Sequence, residues 1–428
     1  MTIYKKILFP ALLFASQLFA ANNLPQQLKI PEHNNHIGQP ANNKIDDSTL
    51  NNLITPSSPD IDATSYILLD SDSGEVIASK NPDMQVSPAS LTKIMTMHII
   101  SKELQEGKIK LTDLVNISTK AWKMPGSRMF IEPDTNVPVS ELIKGIVIQS
   151  GNDASIAMAE YIAGSEDEFV NLMNYEAQNL NLKNTHFENA TGLPHKNHVS
   201  TARDMAALSK EVIENYPEYY KLYKEKDFTY NNIKQYNRNK LLWRKSLNVD
   251  GLKTGFTDSA GYCQVTSAKT GNHRLISVVM GSNSEDERAK NSATLIKYGF
   301  KHYETKKLFS DNMEIKEVPV WMGDKSMVPA GVIKSTYITI PKNTYSQLKY
   351  ILNIKTELKA PIKKNMQVGT IDIMLNNNIL KQVPLVALAS IEKGGIWTKT
   401  KDYISLSVLS IFNKNNNEYT TEEIAKIA

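Results

Sequence analysis

The chain opens on a mostly apolar run, residues 7–19, that follows Lys5 and Lys6, is interrupted by Pro10 and ends at the small residues Ala20 and Ala21. A basic start, a short apolar stretch and small residues predict a secretory signal over residues 1–21, cut after export. The run falls short of the about 20 residues a helix needs to cross a bilayer. No cysteine lies near the cut to carry a lipid. Residues 22–59 lack an apolar period and are rich in Asn and Pro, which predicts a flexible linker.

From Ser65 the pattern changes. Tyr66, Ile67, Leu68 and Leu69, then Asp70-Ser71-Asp72-Ser73-Gly74, then Val76, Ile77 and Ala78 predict strand, turn and strand. After Pro88 the apolar residues Leu91, Ile94, Met95, Ile99 and Leu104 take helical spacing. More helices are predicted over residues 139–148 and 153–162. Another begins near Thr201, whose spacing to Asp204 fits a capping box ahead of Met205, Leu208 and Val212. Strand patterns return over residues 253–256, 262–268 and 275–280, and a helix is predicted over 285–298. Strands at both ends of a helical block predict an α/β (α+β) domain, residues 60–308, whose ends share one antiparallel sheet flanked by helices. Beyond about Val318, β-rich runs at 337–340, 368–375 and 383–388 are separated by Pro341, Pro361 and Asn376-Asn377-Asn378. They predict a small all-β domain, residues 309–395, without residues clustered for chemistry.

A length of 428 residues fits two folded domains. The formal net charge of +4 falls by two when Lys5 and Lys6 leave, so nothing supports nucleic-acid binding. Cys263 is the single cysteine, which excludes an internal disulfide; a chain this long builds a core without one, even after export. It lies in the alternating Tyr262-Cys263-Gln264-Val265 with no basic neighbour to lower its pKa, and reads as a strand residue. The histidines, among them His98, His195 and His198, show no metal-ligand spacing and read as loop or packing residues. No metal or cofactor is implied.

Three stretches carry chemistry: Ser90-Leu91-Thr92-Lys93, Ser150-Gly151-Asn152 and Lys253-Thr254-Gly255. A serine hydroxyl is a poor nucleophile until a base takes its proton. Lys93, three residues after Ser90 at a helix start, shares its helical face. It serves as a base only if burial or a second cation lowers its pKa, and Lys253 is the natural second cation. Ser150-Gly151-Asn152 lies between two helical stretches. Ser150 could shuttle a proton to a leaving amine, and Asn152 could hold Lys93 or the substrate amide. The same residues also suit a helix-capping turn. On a strand, Gly255 admits an extended substrate to the edge, while Lys253 and Thr254 suit a terminal carboxylate. Backbone amides are the expected oxyanion donors. Each stretch alone reads as well as an ordinary turn or surface pair; together they describe a serine acyl-transfer centre without a catalytic histidine.

The wider text is Ser-Pro-Ala-Ser-Leu-Thr-Lys, Gln-Ser-Gly-Asn-Asp-Ala, Ser-Thr-Ala-Arg-Asp-Met, Asn-Arg-Asn-Lys-Leu-Leu-Trp and Val-Asp-Gly-Leu-Lys-Thr-Gly. Over residues 60–412 it resembles low-molecular-mass penicillin-binding proteins, the D-alanyl-D-alanine carboxypeptidases with a β-rich C-terminal domain. The resemblance implies a penicillin-binding/β-lactamase-like transpeptidase fold and an acyl-enzyme on Ser90. Lys93 is then its base, with Ser150 and Asn152 completing the relay. Lys253, Thr254 and Gly255 bind and polarise the substrate, and the amides of Ser90 and Phe256 form the oxyanion hole. Arg238 matches a position that helps hold the terminal carboxylate. Arg288 matches another basic position near the site; a surface salt bridge is the alternative for both arginines, and for Arg288 it is the preferred reading.

The family often has Thr or His after Lys-Thr-Gly. Phe256 stands there in this chain, so the pocket beside the scissile bond is expected to differ. The implied partners are peptidoglycan stem peptides as substrates and β-lactams as covalent inhibitors. Cleavage of D-Ala–diaminopimelate cross-links is the nearest alternative, and a non-catalytic peptidoglycan-binding scaffold is the alternative from another class. Nothing resembles the Glu-x-x-Leu-Asn segment of class A β-lactamases. Finally, Trp397, Ile404, Val408, Ile411 and Phe412 share one face at about 100° per residue. An amphipathic helix over residues 396–412 suits the inner-membrane surface on the periplasmic side, where the family's tail lies. Packing on its own β domain is the other reading, and residues 413–428 follow as a polar tail.

Overall fold

The computed structural model describes residues 57–355 and 357–396, and the backbone of 417–420. The expected signal segment, the linker up to residue 56 and the expected helix beyond Ile396 lie outside the described residues.

Side chains of a strand point alternately to its two faces, and Ser65–Asp70 uses both. Ile67 and Leu69 enter one core while Tyr66 and Leu68 enter another. The sheet runs Val76–Lys80, Ser65–Asp70, His273–Ser282 and Gly261–Thr270, and the last strand also pairs with Val249–Gly251 and Thr254–Thr257. All neighbours are antiparallel, and Tyr66 stands opposite Val279. The two ends of the domain therefore close one sheet, as the pattern predicts. One face carries the Glu285–His302 helix, through Ala289, Ala293 and Ile296 against Leu68, Leu275 and Val279.

The other face carries the helical block around Lys93–Gln105. Ile94, Met95, Met97, Ile99 and Ile100 are all buried there, and a helix apolar on every side belongs in an interior. It is preceded by a 3-10 turn, Ala89–Thr92, where the spacing predicts continuous α-helix. The Ala202–Asn215 helix starts as expected, with the Thr201 hydroxyl accepting from the Asp204 N–H at 3.1 Å. The Glu166–Asn179 helix has no counterpart in the sequence reading. Its apolar stripe is only Phe169, Met173 and Ala177 among acidic and amide residues, too narrow to stand out as a period.

The all-β part begins earlier than the expected 308/309 boundary. The Glu285–His302 helix runs straight into the Tyr303–Phe309 strand, which pairs with Thr336–Pro341 and gives Leu308 and Phe309 to the C-terminal core. No Gly or Pro marks that junction; the only signal is the basic last turn of Lys301 and His302. A second sheet runs Glu314–Pro319, Met327–Gly331, Asn378–Ala387, Gln367–Leu375, Lys349–Ile354 and Asn417–Thr420. Four residues of the expected polar tail thus pair along Lys349–Ile354, with Tyr419 opposite Tyr350, and cover an edge that would otherwise be open. Among the described residues no helix is long and apolar enough to cross a membrane.

The two parts meet around Asp70. Its buried carboxylate accepts from the Ser73 N–H at 2.8 Å, the Ser73 hydroxyl at 2.9 Å and the Thr305 hydroxyl at 2.6 Å. Burial pushes its pKa up, but His273, with Nε2 3.1 Å away, and the hydrogen bonds from Ser73 and Thr305 outweigh that and hold it below the ordinary value. Lys381 Nζ donates across the same seam to the Ser73 carbonyl at 3.3 Å, and within its own part to the Tyr337 carbonyl at 2.9 Å. Replacing Asp70 with Ala strands these donors under the seam. The Asp70→Ala protein is expected to lose about 1–3 kcal/mol of unfolding free energy in denaturant titration. An unchanged midpoint would show that the carboxylate does not hold the seam.

Candidate active site

Ser90 sits in the Ala89–Thr92 turn and Lys93 opens the helix that follows. Residues three apart eclipse in a 3-10 turn, and Lys93 Nζ stands 3.1 Å from Ser90 Oγ. The same nitrogen lies 2.7 Å from Asn152 Oδ1 and 2.6 Å from the Thr191 carbonyl. Its side chain is fully enclosed. Burial is the main cause that lowers its pKa from 10.5 to about 7, with Asp153 opposing and Arg238 adding to it. Arg238 is therefore a cation acting on Lys93 that the lysine pairing did not name. Lys93 and Lys253 also repel each other, and Lys253 is held well below 10.5 by burial first, then by Lys93, Arg238 and Arg288.

Counting donors and acceptors fixes what neutral Lys93 presents. Asn152 Nδ2 donates to the Pro125 carbonyl at 2.6 Å, which orients the amide so that Oδ1 faces Lys93. Oδ1 and the Thr191 carbonyl only accept. A neutral amine spends its two hydrogens on them and turns its lone pair to the one partner able to donate, the Ser90 hydroxyl. The arrangement is a base aimed at a nucleophile.

Ser150 ends a π-helical turn, Gly145–Gln149, in the left-handed region at φ 67° and ψ 36°, and the Asn152–Ala163 helix starts two residues later. The stretch is thus a turn between two helical segments, as one of the two readings expects, and it also borders the cavity. Ser150 shares a cavity wall with Ser90, although the partners of Lys93 are Ser90, Asn152 and Thr191. The helix start also clamps a neighbouring loop. Asn152 N–H donates to the Ser127 carbonyl at 2.7 Å. The Asp153 carboxylate accepts from the N–H groups of Met129 at 3.0 Å, Phe130 at 2.9 Å and Ile131 at 3.4 Å. Burial raises the Asp153 pKa and these bonds oppose the rise. Gly126 and Ser127 of this loop line the cavity. Sequence reasoning missed this loop because its anchor is long-range, though Asp153 stands beside Asn152 in the motif.

Thr254 and Gly255 lie on the Thr254–Thr257 strand, with Gly255 opposite Cys263. A Cβ at Gly255 would sit 3.1 Å from both the Pro88 carbonyl and the Ser90 nitrogen. The strand and the nucleophile turn thus meet backbone to backbone, which adds a packing reason for the glycine. Lys253 is buried and donates to the Thr254 carbonyl at 2.8 Å. Phe256 is 47% exposed, its ring centroid 4.3 Å from that of Tyr262. Cys263 is buried, and burial pushes its thiol up to about 11, so it stays protonated.

Arg238 is exposed between two buried asparagines. Asn239 Oδ1 accepts from the Leu241 N–H at 3.1 Å and Gln264 Nε2 at 3.0 Å, and Asn239 Nδ2 donates to the Gly251 carbonyl at 3.2 Å. The asparagines pin the backbone while Arg238 faces the cavity. Arg288 is not on the surface. It is 5% exposed, donates to the Gly255 carbonyl at 3.2 Å and to Glu285 at 3.3 Å, and lies 5.5 Å from the Tyr262 ring centre. The surface reading of Arg288 fails because the Glu285–His302 helix turns it inward behind the strand. The cavity is about 440 Å³, and Ser90, Ser150, Arg238, Thr254, Phe256 and Arg288 are in its wall; Glu285 is the one carboxylate there. Lys93, Asn152 and Lys253 stand behind that wall.

The opposing influences on Lys93 can be separated. Asp153 raises its pKa and Arg238 lowers it. In a titration of ¹³C-labelled lysines by NMR, Lys93 is expected to titrate near 7 in the parent protein. Its midpoint should fall in Asp153→Asn and rise in Arg238→Gln. Midpoints moving the same way would overturn this electrostatic assignment.

Family models describe both parts of the chain: residues 52–284 match "D-alanyl-D-alanine carboxypeptidase" and residues 303–393 match "Penicillin-binding protein 5, C-terminal domain". The D-alanyl-D-alanine carboxypeptidase DacA of Escherichia coli K12 is 47% identical over 369 residues, covering 84% of this chain and 91% of DacA. The crystal structure of penicillin-binding protein 5 from Haemophilus influenzae superposes with a TM-score of 0.78 at 42% identity, covering 79% of this chain and 99% of that one. The D-alanyl-D-alanine endopeptidase of Escherichia coli K12 is more distant, 29% identical over 53% of this chain and 73% of its own length. With the fold, both domains and the serine–lysine geometry in agreement, the chain belongs to the D-alanyl-D-alanine carboxypeptidase family of penicillin-binding proteins.

Proposed function

We propose that this protein removes the terminal D-Ala from peptidoglycan pentapeptides through an acyl-enzyme on Ser90. The observation that carries the reading is the enclosed Lys93, whose lone pair in the neutral state has only the Ser90 hydroxyl to face. Lys93 takes the proton of Ser90 as Oγ attacks the carbonyl of the penultimate D-Ala. The amides of Ser90 and Phe256 hold the oxyanion. When the C–N bond breaks, the proton passes from Lys93 by way of Ser150 to the leaving amine, and D-Ala departs. Water, deprotonated by Lys93, then splits the ester and restores Ser90. Arg238 and Thr254 face the terminal carboxylate, with Lys253 adding its dipole from behind and Arg288 holding the Gly255 carbonyl. A β-lactam amide enters the same step and acylates Ser90. Matching relatives named carboxypeptidases across both domains support this reading over the endopeptidase one. A complete base–nucleophile pair has no use in a scaffold.

Residues 1–21 support export, and we place the mature protein in the periplasm with residues 396–412 against the inner membrane. Replacing Trp397, Ile404 and Val408 with Ser should then move it from the membrane to the soluble fraction.

The decisive experiment incubates the mature protein with labelled penicillin and, separately, with a D-Ala-D-Ala pentapeptide. Covalent label and released D-Ala are expected from the parent and neither from Ser90→Ala; a parent giving neither sinks the proposal. Faster cleavage of cross-linked dimers than of monomers would favour the endopeptidase. The acylation rate should rise with pH through about 7, because the ammonium form of Lys93 has no lone pair and the neutral form accumulates above that value.

A further inference from the structure

The peptide joining Ala89 to Ser90 is held by a chain of hydrogen bonds that leads away from the cavity. Thr92 Oγ1 lies 2.8 Å from the Ala89 carbonyl and 2.8 Å from His198 Nε2, and His198 Nδ1 lies 3.2 Å from the Glu188 nitrogen. Ala89, Thr92 and His198 are all buried. The direction of each bond is forced. A backbone N–H can only donate, so Glu188 makes His198 Nδ1 the acceptor. The ring's hydrogen is then on Nε2 and is donated to Thr92 Oγ1. Thr92 in turn has its own hydrogen left for the Ala89 carbonyl. This requires a neutral imidazole, and burial lowers the His198 pKa to about 4.

The consequence follows from planarity. The Ala89 carbonyl and the Ser90 N–H belong to one trans peptide unit and point in opposite directions, so fixing one aims the other. The unit needs fixing, because Ala89 sits at φ 46°, a region a residue with a Cβ seldom adopts. We propose that His198 is a positioning residue for the oxyanion hole: through Thr92 it holds the Ala89 carbonyl and thereby aims the Ser90 amide. The proposal rests on the acyl-enzyme reading, in which that amide meets the oxyanion. The segment carrying Glu188 also supplies the Thr191 carbonyl to Lys93, and a Cβ at Gly192 would lie 1.8 Å from the Ala89 oxygen. The same segment therefore touches both the base and the peptide that bears the oxyanion donor.

The test compares the parent with His198→Leu, His198→Gln and Thr92→Val. It reads the rate of acylation by labelled penicillin, the thermal midpoint, and the ¹⁵N resonances of the His198 ring. In the parent, Nδ1 should be bare and Nε2 protonated. His198→Leu and Thr92→Val should acylate about tenfold slower or worse, a misaimed donor losing part of what a removed one does. His198→Gln, whose amide both accepts and donates, should recover most of the rate. A protonated Nδ1, a His198→Leu rate within about twofold of the parent, or no recovery in His198→Gln with its fold intact overturns the proposal. Should His198→Leu not fold, an unslowed Thr92→Val overturns it alone. A parent that takes no label defeats the acyl-enzyme reading first, and this inference with it.

Discussion

An ammonium removed from water and left without a carboxylate partner is expensive, and proteins commonly resolve the expense by releasing its proton. Lys93 is in that position. It is enclosed, its contacts are three oxygens of which none belongs to a carboxylate, and its pKa drops to about 7. Everything near it follows from that enclosure. The 3-10 turn brings Ser90 over the nitrogen, Asn152 at a helix start supplies one acceptor, and the loop bearing Thr191 supplies another. Each is held from behind: Asn152 through the Pro125 carbonyl, and the 125–131 loop through Asp153. An oxygen moved by an ångström would leave a hydrogen of the amine unspent and turn the lone pair away from Ser90.

The cavity wall is electrostatically unfinished. Arg238 faces it without an ion pair among the described residues, and Arg288 shares it with the lone Glu285. Such a wall favours an anionic ligand, and the same charges act on the lysines behind it. Arg238 lowers the pKa of both Lys93 and Lys253. In the proposed mechanism a carboxylate bound against Arg238 would cancel part of that influence and so strengthen Lys93 as a base as the site fills. On that proposal, recognition of the substrate's terminus and strengthening of the base would be one electrostatic event.

How much of this was legible in the sequence depends on the range of the interaction. Ser90 with Lys93, and Ser150 with Asn152, are close in sequence, so their spacing announces their geometry. The central helix and the paired strands declared themselves through period. What stayed hidden rests on residues far apart in the chain. Asp153 gathering three amides of another loop, His198 reaching Thr92, and Arg288 turning inward leave no local pattern. Arg288 read as a surface residue because an Arg among Glu and Asp at a helix start looks like one. Pairing Lys253 with Lys93 left out the influence of Arg238 on both lysines, because Arg238 lies between the hairpin of residues 227–236 and the Lys240–Trp243 turn, far along the chain from Lys93. The Tyr303 boundary was missed because a helix passing directly into a strand carries no turn residues.

The nucleophile turn also shows why two glycines flank this site from distant parts of the chain. A Cβ at Gly255 would press the Pro88 carbonyl and the Ser90 nitrogen, and one at Gly192 would overlap the Ala89 carbonyl. The turn is therefore gripped between two bare backbones, one from the sheet and one from the loop that feeds Lys93. Side chains at these points would push the turn away from Lys93 or out of the cavity. Backbone contact on both sides also helps hold Ala89 at a positive φ that its side chain disfavours. Strain of this kind persists only where the surroundings over-determine it. Here the same contacts set the position of Ser90 Oγ relative to its base and the direction of the amide beside it. In the proposed mechanism the nucleophile and an oxyanion donor are thus placed by one tightly packed turn and the base by the first residue after it, and the rest of the fold serves to keep that turn closed.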